Sequence, residues 1–145
     1  MKVNLGCGLD IRPEYVNVDR VPGAGVDLVA DINERLPFDD SEVDEIVAHD
    51  VIEHLRNGLV PFMDEAWRIL KPDGILNLRT GTPDHPQIWA DPEHVRPYTL
   101  ETFDYFDPST HWWKKYGSLY TKNYWSVVKR HENAGMISVI MRKLA

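Results

Sequence analysis

Lys2-Val3-Asn4-Leu5-Gly6-Cys7-Gly8 is a short apolar strand that runs directly into a glycine-rich turn. A second predicted strand, Tyr15-Val16-Asn17-Val18, ends on Asp19. A buried strand, a glycine-rich turn and a carboxylate at the end of the neighbouring strand are typical of a nucleoside-cofactor site in an open α/β sheet. The glycines let the backbone approach a ligand that a β-carbon would block. The carboxylate can accept hydrogen bonds from both hydroxyls of a ribose.

The chain then alternates short apolar runs with loops and helical patterns, as a parallel sheet requires. Further strands are predicted at residues 26–30, 43–48 and 75–78. The clearest helix lies between the last two strands, because apolar residues recur at three- and four-residue steps from Leu59 to Leu70. Pro72-Asp73-Gly74 is expected to stop this helix.

The last part of the chain is irregular until its end. Residues 80–124 contain five prolines and are rich in Trp, Tyr, His and Asp. A helix is predicted at about residues 100–106. Two interpretations of residues 80–124 stay open: a pocket wall or lid, or a packed aromatic cluster. Residues 125–130 and 136–142 predict an antiparallel hairpin, with Asn133-Ala134-Gly135 as its turn.

Composition and charge limit the classes of function. With 145 residues, 43% hydrophobic and 27% charged, the chain is expected to form one globular domain over residues 1–145. No apolar run approaches the roughly 20 residues that cross a bilayer. The N-terminus lacks a basic segment followed by an apolar one, so no signal peptide is predicted. The net charge of −7 argues against nucleic acid as a partner. Cys7 is the single cysteine, which excludes an internal disulfide, so a cytoplasmic protein without membrane contact is expected.

The basic residues are concentrated toward the C-terminus. From residue 111 onward, seven Lys/Arg accompany one acid, Glu132. Two interpretations stay open: a hairpin with basic edges, or a basic surface for an anionic substrate or a second subunit. Because a strand of the final hairpin could lie at the sheet edge and pair between subunits, a homodimer is a further prediction.

The glycine-rich turn disfavours a dinucleotide. The third glycine of the usual fingerprint is replaced by Ile11, and Asp10 places a negative charge where phosphates would lie. Only 11 residues lead from Gly8 to Asp19, so the first crossover helix must be reduced or lost. S-adenosylmethionine has no phosphate and carries a net positive charge. A cavity formed by acids would attract it by Coulomb forces, and the acids predicted to form that cavity are Asp10, Asp19, Asp31 and Asp50.

Six motifs in order resemble those of class I S-adenosylmethionine-dependent methyltransferases, in particular the small type 11 branch. They are residues 5–8, 16–19, 30–32 followed by 36–38, 48–55, 69–74 and 91–99. The resemblance implies a Rossmann-like, mostly parallel sheet that ends in an antiparallel hairpin, with strand order 3-2-1-4-5-7-6. The family's helices before the first strand have no counterpart here, which predicts a more open site.

The resemblance also implies S-adenosylmethionine as cofactor and assigns roles to these motifs. The first lies against the methionine part of the cofactor, Asp19 holds the ribose, and Asp31 with its neighbours flanks the adenine. The fourth lies beside the transferable methyl group, and the last covers the substrate side. The predicted cofactor-binding residues are Leu5, Gly6, Cys7, Gly8, Asp19, Arg20, Asp31, Ile32 and Asp50.

Methyl transfer needs a base only when the acceptor arrives protonated, and His54, His49 and His94 are the candidates. Each could instead be a structural histidine. A metal site is not predicted, because His49 and His54 are five residues apart rather than the four that align two ligands on a helix.

Three functions follow as hypotheses. The first is methyl transfer to a small-molecule substrate, such as a sugar or an aromatic hydroxyl. The second is a non-catalytic S-adenosylmethionine-binding or regulatory subunit. The third is a metal-dependent hydrolase that uses the cluster around His49 and His54.

Overall fold

In the computed structural model, which describes residues 1–145, seven strands form one sheet. The strands are β1 (Lys2–Leu5), β2 (Val16–Asp19), β3 (Leu28–Val29), β4 (Val43–His49), β5 (Leu70–Gly81), β6 (Tyr124–Asn133) and β7 (Met136–Leu144). Their spatial order is β3-β2-β1-β4-β5-β7-β6. The first five strands are parallel, and β7 runs antiparallel to both β5 and β6. The predicted α/β class, strand order and terminal hairpin are therefore confirmed.

The helices are few and short. They are α1 (Leu59–Ile69), α2 (Pro86–Ala90), α3 (Ser118–Tyr120), two 3₁₀ helices (Ile52–His54 and Leu100–Phe106) and a π-helical turn (Trp113–Gly117). The apolar stripe predicted for α1 is its buried face, which includes Phe62, Met63 and Ala66. None of these helices combines the length and the apolar character that a bilayer crossing demands.

The connection from β1 to β2 contains no helix, as the short spacing predicts. Two buried asparagines, Asn4 on β1 and Asn17 on β2, organise the loop instead. Their side chains hydrogen-bond each other at 3.0 Å, and Asn4 also donates to the carbonyl of Asp10 at 2.7 Å. Asn17 accepts from the Arg12 N–H at 2.9 Å. Buried amides thus satisfy backbone groups that a crossover helix would otherwise satisfy internally.

The largest differences from the predicted strand boundaries are in β3 and β5. Strand β3 has two residues rather than five, because the Val26 N–H turns back to the Gly23 carbonyl and β3 pairs only with β2. Strand β5 begins at Leu70 rather than at Ile75, since Leu70 already pairs with Val43 before the chain bulges and resumes the ladder. Asp73 lies in this bulge with φ of 62°, a left-handed conformation that favours glycine.

The final hairpin turns on two residues, Ala134 and Gly135, with φ of 51° and 78°. Positive φ at both positions matches a turn whose twist suits two-residue hairpins. Asn133, predicted as part of the turn, is the last residue of β6. Strand β6 is an edge strand with exposed residues from 128 to 133, so its pairing in a homodimer stays a prediction.

Candidate functional site

The glycine-rich turn after β1 has the conformation that its sequence predicts. Gly6 has φ of 62°, and a β-carbon there would lie 2.4 Å from Cγ2 of Val51. Gly8 has φ of 48°, but its missing β-carbon points into open space with no atom within 4 Å. Between them, Cys7 is buried, and this burial raises the pKa of its thiol. The turn is therefore fixed on its inner side and open where a ligand could approach.

Asp19 at the end of β2 joins this turn. One carboxylate oxygen accepts from the Gly8 N–H at 2.9 Å, and the other accepts from the Val21 N–H at 3.0 Å. Each oxygen keeps a further lone pair, so the carboxylate can hold the turn and still accept ligand hydroxyls.

Asp31 follows β3 and is held by two neighbours. Its Oδ1 accepts from the backbone and the side-chain amide of Asn33, each at 2.9 Å, and its Oδ2 accepts from Arg56 at 2.9 Å. The hydrogen bonds from Asn33, followed by those from Arg56, lower the pKa of Asp31. Asp31 is consequently an ionised, oriented acceptor.

These groups face a cavity of about 320 Å³ at the carboxyl ends of the parallel strands. The position is the expected ligand crevice of an open α/β sheet, and the volume lies in the usual range for ligand pockets. The wall is completed by the chain after β4 and by the loop that follows α2. The lining residues are Gly6, Asp19, Arg20, Ala30, Asp31, Ile32, Asn33, Asp50, Val51, His54, Arg56, Pro92, Glu93, His94 and Val95.

The cavity is acidic, although less so than the sequence suggested. Four acids and two arginines line it, which gives a formal net charge of −2. The prediction that Asp10 contributes is wrong, because Asp10 lies outside the cavity and pairs with Arg12 at 2.9 Å. Asp50 does line the cavity, but it pairs with Arg79 at 2.5 Å. The remaining charge still favours a cation over a phosphate.

The three candidate histidines have different surroundings. His54 and His94 line the cavity, whereas His49 does not. Both ring nitrogens of His49 are engaged: Nε2 donates to Asn77 at 3.1 Å, and Nδ1 accepts from Arg12 at 3.2 Å. Burial, and then the neighbouring His94, lower the pKa of His54, so its imidazole is neutral at pH 7.

The loop after α2, which lines the cavity, is hydrogen-bonded to the 3₁₀ helix Ile52–His54. The Val95 N–H donates to the Glu53 carbonyl at 2.7 Å, and the Tyr98 hydroxyl donates to the Ile52 carbonyl at 3.2 Å. The Glu53 side chain lies beneath this contact, only 4% exposed. Its Oε1 and the Thr80 hydroxyl are buried and make no hydrogen bond of normal length, although Thr80 lies near enough to offset part of the effect of burial on the pKa of Glu53. Burial raises the pKa of Glu53.

The structure brings most of the predicted cofactor-binding residues together. Leu5 and Cys7 are buried behind the turn, and Gly8 lies beside the cavity rather than in its lining. The predicted residues that line the cavity are Gly6, Asp19, Arg20, Asp31, Ile32 and Asp50. Sequence reasoning missed Asn33 and Arg56, and it placed Glu93 only within the motif of residues 91–99. The hydrogen bond from the Arg56 N–H to Asn33, at 2.8 Å, joins separate loops, and no local pattern predicts it.

Comparison with known proteins bears on the family and the fold. A family model described as a methyltransferase domain matches residues 4–78, just over half of the chain. No curated protein matches the sequence.

Solved structures extend the fold likeness to nearly the whole chain. The YcgJ protein from Bacillus subtilis is 14% identical with a TM-score of 0.67, covering 99% of this chain and 92% of that one. A SAM dependent methyltransferase from Archaeoglobus fulgidus is 14% identical with a TM-score of 0.66, covering 98% and 85%. Phosphoethanolamine N-methyltransferase 1 from Haemonchus contortus, in complex with phosphoethanolamine and S-adenosylhomocysteine, is 13% identical with a TM-score of 0.67, covering 99% and 38%. At these identities the likeness establishes the fold alone.

Proposed function

Because the chain belongs to the methyltransferase domain family, we propose that it transfers a methyl group from S-adenosylmethionine to a small-molecule acceptor. The observation that carries the proposal is the cavity, which joins the glycine turn and Asp19 on one side to His54 on the other. Its volume, its formal charge of −2 and the open space beside Gly8 fit a cationic adenosine compound.

Each part of the cavity has a role in this proposal. Asp19 accepts hydrogen bonds from the ribose, and Asp31 with Ile32 contacts the adenine. The backbone of residues 6–8 lies against the methionine part. When bound, S-adenosylmethionine supplies a methyl group activated by its positively charged sulfur. The chain's contribution is alignment of the acceptor with this group, which can account for much of the rate.

His54 is the proposed base, with His94 beside it at the cavity wall. It is neutral at pH 7 and lines the cavity, so it can take a proton from an acceptor hydroxyl. A sugar or an aromatic hydroxyl is the proposed acceptor class. His49 is a weaker candidate, because both of its nitrogens already have partners.

Asp19→Asn is expected to weaken S-adenosylmethionine binding by about 10- to 100-fold, because hydrogen bonds to a charged group contribute roughly 1.5–3 kcal/mol. Asparagine keeps one acceptor oxygen for the turn, so the fold should persist. Isothermal titration calorimetry with S-adenosylmethionine measures the affinity.

Asp10→Asn is the matched control, because it removes the same charge from the loop before β2, outside the cavity. The affinity of Asp10→Asn for S-adenosylmethionine should equal that of the unmodified chain. The proposal fails if the unmodified chain gives no binding heat, or if it binds a nicotinamide dinucleotide or a nucleoside triphosphate instead.

The rate of methylation of a hydroxyl acceptor should fall as the pH drops below about 6.5, the ordinary histidine value, because protonated His54 cannot act as a base. The lowered pKa of His54 places this fall at more acidic pH than for an exposed histidine. Release of S-adenosylhomocysteine across a panel of sugars and phenols gives the rate, and His54→Gln should remove the acidic limb. Cofactor binding without turnover on any acceptor would favour the non-catalytic binding subunit.

A further inference from the structure

A second arrangement of polar groups lies at the same cavity wall. His54 of the 3₁₀ helix meets Asp91 and His94 of the loop after α2, and one potential ligand atom from each lies within 4.8 Å of the other two. The two segments are far apart in sequence but are joined by the hydrogen bond from the Val95 N–H to the Glu53 carbonyl. The three side chains are therefore held together by the backbone.

Hydrogen bonds around this cluster orient its free atoms toward one another. Nδ1 of His94 lies 2.9 Å from the Ile88 carbonyl, which can only accept, so Nδ1 carries the hydrogen. In the neutral ring, Nε2 then carries a lone pair and no hydrogen, and it lies 3.6 Å from Oδ2 of Asp91. The other oxygen of Asp91 is occupied by the Glu93 N–H at 2.8 Å. A cation between two acceptors that face each other in this way would be stabilised by both of them.

The second imidazole is placed where it can share that cation. The rings of His54 and His94 have centroids 4.6 Å apart and planes at 83°. With metal–nitrogen bonds of about 2.0–2.1 Å, two imidazoles on one ion have centroids roughly 4.5–5.2 Å apart. The spacing thus suits one ion held by both rings and a carboxylate oxygen.

We propose that His54, Asp91 and His94 bind one divalent transition-metal ion, Zn²⁺ being the one that two imidazoles and a carboxylate favour. The hydrogen bond from His94 to the Ile88 carbonyl is the outer contact that commonly fixes a metal-binding histidine. Three protein ligands leave a coordination position for another molecule. Since His54 and His94 line the cavity, an oxygen or nitrogen atom of the acceptor is the group that this position would take.

This site differs from the metal cluster considered from the sequence. That hypothesis paired His54 with His49, but His49 is bound to Asn77 and Arg12. The partners of His54 are Asp91 and His94, which no sequence spacing connects to it. The base role proposed for His54 applies to the chain without an ion. With an ion bound, His54 and His94 would hold it, and the ion would activate the acceptor instead.

Zinc binding to the purified chain tests the proposal without cofactor or acceptor, so its outcome is independent of methyl transfer. After treatment with a chelator, titration with Zn²⁺ should show one ion bound per chain. Co²⁺ should bind at the same site and give visible absorption bands. Asp91→Asn should weaken Zn²⁺ binding by at least about 100-fold, because it removes a ligand. It keeps the oxygen that accepts from the Glu93 N–H, so the loop is preserved.

Two further variants complete the test. His54→Gln should also lose the Zn²⁺ affinity and the Co²⁺ absorption. His131→Gln removes an exposed histidine of β6 and should leave both unchanged. Thermal melting checks that each variant is folded. The proposal is overturned if the unmodified chain binds no stoichiometric zinc. Equal affinities in the unmodified chain and Asp91→Asn would overturn it as well.

Discussion

Gly6→Ala is expected to abolish cofactor binding and to lower the free energy of unfolding by about 2–5 kcal/mol. Part of this loss is backbone strain, because a residue with a β-carbon in the left-handed region costs roughly 1–2 kcal/mol. The rest is overpacking, which costs about 1–3 kcal/mol. The new β-carbon would lie 2.4 Å from Cγ2 of Val51 and 3.2 Å from its Cγ1. Val51 is only 4% exposed and has little room to move.

Cofactor binding is expected to be lost because Gly6 and Val51 both line the cavity. Any shift of Val51 that relieves the clash therefore also changes the shape of the cavity. Urea denaturation gives the stability, and calorimetric titration with S-adenosylmethionine gives the affinity.

Gly8→Ala is the matched control. Gly8 has the same left-handed backbone, with φ of 48°, but no atom lies within 4 Å of its missing β-carbon. We expect a loss of only about 1–2 kcal/mol, from backbone strain alone. The double variant Gly6→Ala with Val51→Ala should lose less free energy of unfolding than the sum of the losses in the two single variants, because it removes the clashing methyl groups. Equal losses in Gly6→Ala and Gly8→Ala would contradict the role of Val51.

Much of the fold is encoded in local sequence signals. The apolar stripe of α1 and the turn at Ala134 and Gly135 each follow from a few neighbouring residues, and the structure confirms both. The strand order is different in kind, because it came from the resemblance to a family and not from any periodicity. The predicted boundaries of β3 and β5 were wrong because they depend on distant parts of the chain. Strand β3 is limited by its pairing with β2, and β5 is extended by the pairing of Leu70 with Val43.

The candidate site divides in the same way. The glycine turn and Asp19 could be predicted, because a strand, a turn and a strand end are consecutive in sequence. The histidines could not be ranked, because Asp50 has φ of 58° and turns the chain between them. That turn leaves His49 in the sheet as the last residue of β4 and carries His54 to the cavity. Asp91 reaches His54 only through the fold, so their proximity has no local signal.

Glu53 leads to the second large expected effect. Its carboxyl is buried with an unpartnered oxygen, and burial raises its pKa above the ordinary 4.5. In the unfolded chain the group ionises near 4.5, whereas in the folded chain it holds its proton to higher pH. The folded state therefore binds more protons between these two values, and stability falls as the pH rises through them. Above the folded pKa the loss is complete and constant.

Glu53→Gln is accordingly expected to raise the free energy of unfolding at pH 7 by about 1–3 kcal/mol, because the amide cannot ionise and a pKa raised by one unit corresponds to about 1.4 kcal/mol. The gain should shrink toward zero near pH 4, where the carboxyl is protonated in both states. Urea denaturation at several pH values measures it.

Glu65→Gln is the matched control with the opposite sign. Burial alone would raise the pKa of Glu65, but hydrogen bonds from Arg68 and the Leu36 N–H outweigh it and lower that pKa. Its stabilisation is present above about pH 4.5 and is lost as the pH falls through the folded value, so the variant should be less stable than the unmodified chain at pH 7. If Glu53→Gln also loses stability at pH 7, the Glu53 carboxylate must have a partner that stabilises its charge. If it gains stability as expected, the chain retains beside His94 an acid that costs folding free energy, as is common where a group serves a site rather than the fold.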